Sequence, residues 1–293
     1  MEHNNTISMD ALVPPEMATR AEQIGFRKAH MDPISMIVLA IVAGVFISFG
    51  AIFATTVTAG ASGTIPYGIV RLLSGFVFSL GLILVIVGGA ELFTGNNLIV
   101  MAWASRKVPT RLLLKNWVIV YLGNFVGAMF TVIAMFFSGQ YLFANGAVGV
   151  TALATAEAKC ALTFTQALVL GTLCNNLVCL AVWLTFSART TTDRILTIIP
   201  PITAFVAAGF EHSIANMYFI PIGMLIKLFA PEAFWTSIGK TAASYPNLTW
   251  EHFIFNNLIP VTLGNIIGGS VLVGLVYWFV YRRPIKPSQD DET

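Results

Sequence analysis

Two polar clusters in this sequence have the residue types to meet a small polar or charged solute. One is Gly88–Asn97, GGAELFTGNN, and the other is Gly209–Asn216, GFEHSIAN; both interrupt long apolar runs. His212 is the sharpest single candidate, because an ionisable side chain at membrane depth marks a functional site by default. Its imidazole can donate a hydrogen bond to an anion and can change charge near neutral pH. The competing reading is a neutral histidine bonded to a backbone carbonyl. The other histidines lie in the N-terminal tail (His3, His30) or beside a loop (His252). Glu91 and Glu211 can relay protons, or they can accept bonds from the freed groups of a broken helix and staple the break. The staple is favoured for both, and for Asn96 and Asn216 beside them. Lys159, in AEAKCALTF, reads as a loop lysine, or as a charge drawing anions into a funnel. Asn175 and Asn176 add amides to an apolar segment, one to line a path and the other to bond a neighbouring helix.

The setting is a membrane. Of 293 residues, 56% are hydrophobic and only 10% charged, with mean hydropathy +0.79; a soluble domain carries about 25% charged residues. The net charge of +2 therefore gives no sign of a nucleic-acid partner. Cys160, Cys174 and Cys179 have neither the spacing nor the setting of a disulfide framework or metal cage, and no cofactor motif is visible. The first 33 residues are polar and lack the apolar core of a signal peptide.

Six apolar segments run roughly over 36–58, 72–105, 116–138, 163–187, 195–226 and 253–281. The second, between Arg71 and Arg106, has Glu91 as its only charge; the fifth, between Arg194 and Lys227, has only Glu211 and His212 as ionisable groups. A straight helix of either length would reach about 50 Å against a hydrocarbon core of about 30 Å. Each has its polar cluster near the middle, which predicts a break. Gly89, Gly95 and Gly209 tolerate unwound backbone, and such backbone survives at this depth only when buried in protein or lining a cavity.

Basic residues crowd one side. Arg20, Arg27, Lys28, Arg106, Lys107, Arg111, Lys115, Arg189, Arg194, Arg282, Arg283 and Lys286 fall together, against Arg71, Lys159, Lys227 and Lys240 on the other. The positive-inside bias places both termini in the cytoplasm. Residues 1–33 form a tail in which Met17, Ala21 and Ile24 suit one face of a short amphipathic helix, with Arg20, Arg27 and Lys28 free for headgroups or a partner. A solvated tail is the alternative. The transmembrane domain spans 34–283, and residues 284–293, with KPSQDDET, read as an unstructured polar tail.

The halves of the chain match. Gly89-Ala-Glu91 with Asn96 corresponds to Gly209-Phe-Glu211 with Asn216, and Leu122-Gly123-Asn124 with Gly127 corresponds to Leu263-Gly264-Asn265 with Gly268. Three spans per half make an inverted repeat, about 34–138 and 163–283, whose broken helices meet near the midplane. Thr94 has no polar counterpart, since Ile214 stands there. Both GxxxG pairs read as close helix packing.

The motifs GGAELFTGNN and FEHSIANMY, with the lysine before segment four, resemble those of the formate/nitrite transporter family, and the formate branch most. The resemblance covers nearly the whole chain. It implies an all-α membrane protein with an aquaporin-like inverted repeat of six transmembrane helices, two of them broken. It also implies a homopentamer with one pore per protomer in the bacterial inner membrane. Carried over by motif, Thr94 and His212 flank the pore centre, and Glu211, Asn175 and Lys159 shape its field. Phe78, Leu82 and Phe205, with Leu92, Phe93 and Val178, form dry constrictions. The resemblance further implies formate transport dependent on protons and a contact between the N-terminal region and pyruvate formate-lyase. A nitrite or hydrosulfide channel is the rival within the family. A water or glycerol channel would show paired Asn-Pro-Ala motifs and an ATP-driven pump a P-loop, and neither occurs. An intramembrane enzyme would need a nucleophile–base pair or metal spacing, which one histidine and scattered cysteines do not supply.

Overall fold

The computed structural model describes residues 10–61 and 63–284; the C-terminal KPSQDDET lies outside the described residues. Among these, every regular element is helical. A helix does form in the tail: α1, Pro14–Ala29, starts on a proline and buries Met17 and Ala21. Asp32 then caps α2, Pro33–Thr58, by accepting from Ile34 N and Ser35 N, both at 3.0 Å. α3 spans Tyr67–Gly88. After a gap come three short pieces, α4 (Phe93–Asn96), a 3-10 turn at Asn97–Ile99 and α5 (Val100–Ala104). α6 is Thr110–Phe137.

The second half begins with α7, Ala147–Cys160, where the sequence reading placed a loop. Its string of alanines and glycine is too weakly apolar to stand out as a span. α8 is Phe164–Ser187, α9 Thr191–Ala208, α10 Ser213–Phe229 and α11 Glu232–Ile238. The last span runs over His252–Tyr281: π-helical turns at His252–Leu258 and Ile267–Leu275 flank α12, Ile259–Ile266, and α13, Val276–Tyr281, ends it. α2, α3, α6, α8 and the last helix are each long and apolar enough to cross a membrane, and α9 with α10 makes a sixth span bent by 51°. This is the six-span architecture with two broken helices that the sequence predicts.

Both breaks have the same local cause. α3 ends at Gly89 (φ 81°) and α9 at Gly209 (φ 78°), a left-handed conformation that costs glycine little. Ala90 N donates to Val85 O at 2.9 Å, and Phe210 N to Phe205 O at 3.0 Å, which closes both helix ends. The chain restarts as helix at Phe93 and at Ser213.

The GxxxG pairs close each half on itself, α6 against α2 and the last helix against α8. A Cβ on Gly127 would stand 2.0 Å from Ile41 O in α2, and one on Gly268 would stand 2.1 Å from Thr172 O in α8. These are backbone atoms, so relief requires moving a helix. Gly127→Ala is expected to cost at least about 1–3 kcal/mol, read as a lower unfolding temperature in detergent. Gly68→Ala, where a Cβ meets nothing within 4 Å, should stay within about 0.5 kcal/mol of wild type.

Candidate functional site: two cavities meeting at Thr94 and His212

The carboxylates at the two breaks sit in matching cages. Glu91 accepts from Lys28 Nζ at 2.6 Å and from Asn96 Nδ2 at 2.7 Å; Asn96 also donates to Asn116 Oδ1 at 2.9 Å, and Asn116 donates to Lys28 O at 3.1 Å. Glu211 accepts from Lys159 Nζ at 2.8 Å and Asn216 Nδ2 at 2.7 Å. Asn216 donates to Asn257 Oδ1 at 2.7 Å, and Asn257 donates to Lys159 O at 3.0 Å. Lys159 is therefore an ion-paired residue on the last turn of α7, not a solvated loop lysine. Lys28, which the sequence suggested would meet headgroups or a partner, turns inward instead. These lysines lie on α1 and α7, so those two helices occupy corresponding places ahead of the two halves.

A second pair of clamps holds the unwound backbone. Asn124 accepts from Phe93 N at 2.9 Å and donates to Ala40 O at 2.7 Å and Glu91 O at 2.9 Å. Asn265 accepts from Ser213 N at 2.9 Å and donates to Gly171 O at 2.8 Å and Glu211 O at 3.0 Å. The first N–H of each restarted helix is thus satisfied by an asparagine side chain, a requirement for backbone buried away from water.

Each break borders a cavity. A cavity of about 1180 Å³ on the α7 side reaches Lys159, Glu211 and His212, and ends against Phe78 and Phe205. One of about 550 Å³ on the α1 side reaches Lys28 and Glu91 and ends against Leu82, Leu92 and Gly95. Between them, Thr94 Oγ1 lies 3.0 Å from His212 Nε2, and both side chains are buried. His212 caps α10: its Nδ1 accepts from Ala215 N at 3.1 Å. An N–H donor there fixes Nδ1 as the unprotonated nitrogen of the neutral ring, so Nε2–H points to Thr94. The sequence-based alternative, a bond to a backbone carbonyl, is not the one found. Phe205 stacks on the imidazole, with centroids 6.0 Å apart and planes 22° apart, and Phe78 meets Phe205 edge-on at 5.8 Å.

Other candidates face elsewhere. Phe93 packs on Tyr121 and Trp117, at 5.0 and 6.2 Å between centroids, and neither it nor Val178 lines either cavity. Asn175 Nδ2 donates to Thr94 O at 3.2 Å, Asn97 Oδ1 at 3.2 Å and Asn265 O at 2.7 Å, so it fixes the backbone behind the threonine. Its Oδ1 is buried without a partner.

Residues 15–279 match the family described as formate/nitrite transporter. The chain belongs to that family. It is 50% identical over 274 residues to the formate channel FocA of Escherichia coli K12, covering 94% of this chain and 96% of the relative. It is 43% identical over 272 residues to the formate channel FocA of Haemophilus influenzae, covering 93% and 95%. Among solved structures it is similar to a pentameric formate channel with formate bound, at TM-score 0.82 and 48% identity, covering 86% of this chain and 98% of the other.

For this formate/nitrite transporter, sequence reasoning assigned no role to Asn97, Asn116, Asn124, Asn257 or Asn265, and gave Lys28 a different one. A signal was present: Asn116 precedes Asn124 by the same spacing that separates Asn257 from Asn265. The cages carry a direct test. Glu211 is 6% exposed at its side chain and Lys159 15%, so Lys159→Met leaves a buried charge without its partner. A cost of about 3–5 kcal/mol is expected, read by thermal unfolding. Adding Glu211→Gln should recover most of it.

Proposed function

We propose that this chain is a formate channel of a bacterial inner membrane, working as a homopentamer with one pore in each protomer. Both termini face the cytoplasm in this reading, as the crowding of basic residues toward α1 supports. The α1-side cavity then opens inward and the α7-side cavity outward. The observation that carries the reading is the pair of lysine-lined cavities separated by the Thr94–His212 contact and an apolar collar. The names of the relatives supply the substrate. The exposed face of α1 is where a contact with pyruvate formate-lyase would fall.

In the proposed mechanism, formate enters a vestibule whose carboxylate is already neutralised by Lys159 or Lys28. At Phe78, Leu82, Leu92 and Phe205 a bare anion loses its hydration, which is costly. Desolvation also favours the protonated form of a carboxylate, so the species that crosses is formic acid. Formate displaces the Thr94 hydroxyl and accepts from Nε2–H. His212 becomes a proton donor only when Nδ1 gains a proton and releases Ala215 N–H. That proton makes an imidazolium, and formate then takes the Nε2 proton, leaving a neutral ring protonated at Nδ1. Asn175 keeps the Thr94 backbone in place throughout.

The test is flux in proteoliposomes, with formate and nitrite compared between about pH 5 and 8, the range in which histidine changes charge. Formate flux should rise toward acid pH in wild type and lose that dependence in His212→Ala. A wild-type pH profile in the variant, or a preference for nitrite, would contradict the reading.

A further inference from the structure

The two cavities are related by the repeat, but they are not charged alike. The matched Lys28 and Lys159 set the correspondence of α1 with α7, and the matched Gly89 and Gly209 set that of α3 with α9. By these registers, Arg20, Arg27 and Arg194 on the α1-side cavity correspond to Thr151, Ala158 and Ser74, and all three of the latter line the α7-side cavity. The fold therefore accepts small neutral residues at these places. The α7-side cavity has its own cations in Lys240 and in Arg71, which donates to Val206 O and Ala207 O, but at these three corresponding places a guanidinium group stands on the α1 side only.

Among the described residues that line this cavity, the carboxylate charge does not balance them. Glu91 is the carboxylate among the residues lining this cavity, and it is engaged by Lys28. Asp193 accepts from the backbone of Thr190 and Arg189 at the start of α9. Arg20 donates to Phe186 O at 3.0 Å, which anchors it without neutralising it. Burial, and then the neighbouring charges of Arg194, Arg189 and Arg27, hold Arg20 below the usual arginine range. Like charges gathered at a half-closed cavity are unfavourable until an anion joins them. A volume of about 550 Å³ suits an organic or phosphate ligand far larger than a one-carbon acid. The cavity closes on Leu82 and Leu92, so an ion with several charges stops there.

We propose that Arg20, Arg27 and Arg194 form a second anion site at the mouth of the α1-side cavity, which takes a solute bearing two or more negative charges as phosphate or carboxylate. Bound there, the solute occupies the approach to Lys28 and Leu92 and slows the passage of small monovalent anions. The site is independent of which monovalent anion the channel carries.

The probe is inorganic pyrophosphate, titrated into the full-length protein by calorimetry at constant ionic strength. Saturable binding of one ligand per protomer is expected, weakened at least tenfold in Arg27→Gln and in Arg194→Gln. Arg20 is left intact because it holds the end of α8. Unfolding temperature and oligomer size, measured for each variant, establish that the loss is not one of folding. The titration is repeated in nanodiscs of phosphatidylcholine and of phosphatidylglycerol. Equal binding in both assigns the site to a free solute, whereas loss of binding in phosphatidylglycerol gives it to a lipid headgroup and overturns the proposal. Absence of saturable binding to wild type, or equal binding by the arginine variants, overturns it as well.

Discussion

Backbone that leaves helical geometry inside an apolar protein must find new hydrogen-bond partners, and this constraint organises the molecule. Each unmatched buried group costs about 1–3 kcal/mol, and each break frees several. Asn124 and Asn265 take two such groups apiece and tie them to a neighbouring helix through Ala40 O or Gly171 O. Glu91 N and Glu211 N reach Leu39 O and Leu170 O at 3.2 and 3.3 Å. With the backbone satisfied, the carboxylates of Glu91 and Glu211 need their own compensation, which is why a lysine from α1 or α7 must reach each of them. The helices that look peripheral are thus required by the centre.

The repeat supplies the frame, and departures from it mark the places where the halves differ in chemistry. His212 stands where the first half has Leu92, and Thr94 where the second has Ile214. Asn175, behind Thr94, corresponds to Gly44, where a Cβ would come within 2.1 Å of Asn124 O. One half uses that position for helix contact and the other for a hydrogen-bonded clamp. Glu22 departs in the same way. It corresponds to Leu153, is fully buried, and is held by Lys107 at 2.5 Å, by Arg282 Nε and Nη2 at 3.0 Å and by Ser105. It ties α1 to the last helix through Arg282, where α7 has only the apolar Leu153 at the corresponding place.

Much of this was legible in the sequence. Apolar lengths gave the spans, and glycine beside glutamate inside an overlong segment gave both breaks. The staple expected of Glu91, Glu211, Asn96 and Asn216 is not the one found: they bond lysine and asparagine side chains, and Asn124 and Asn265 hold the freed backbone instead. What escaped notice has a physical reason. Lys28 looked like any basic residue in a polar tail, because its target is distant in sequence. α7 is built of small residues whose packing, not hydropathy, makes it a helix. Asn124 and Asn265 stood inside the quoted repeat motif, yet an asparagine in an apolar segment does not announce which backbone it will bond. The tautomer of His212 follows from Ala215 N–H, and no sequence pattern carries that information.

The central claim is that formate crosses the Thr94–His212 contact as a neutral acid. Formate uptake into proteoliposomes under an imposed potassium diffusion potential tests it most directly, with the pH gradient clamped at zero. The account expects flux to be the same at either sign of the potential. Flux that grows with inside-positive potential would mean that the bare anion crosses, and would contradict it.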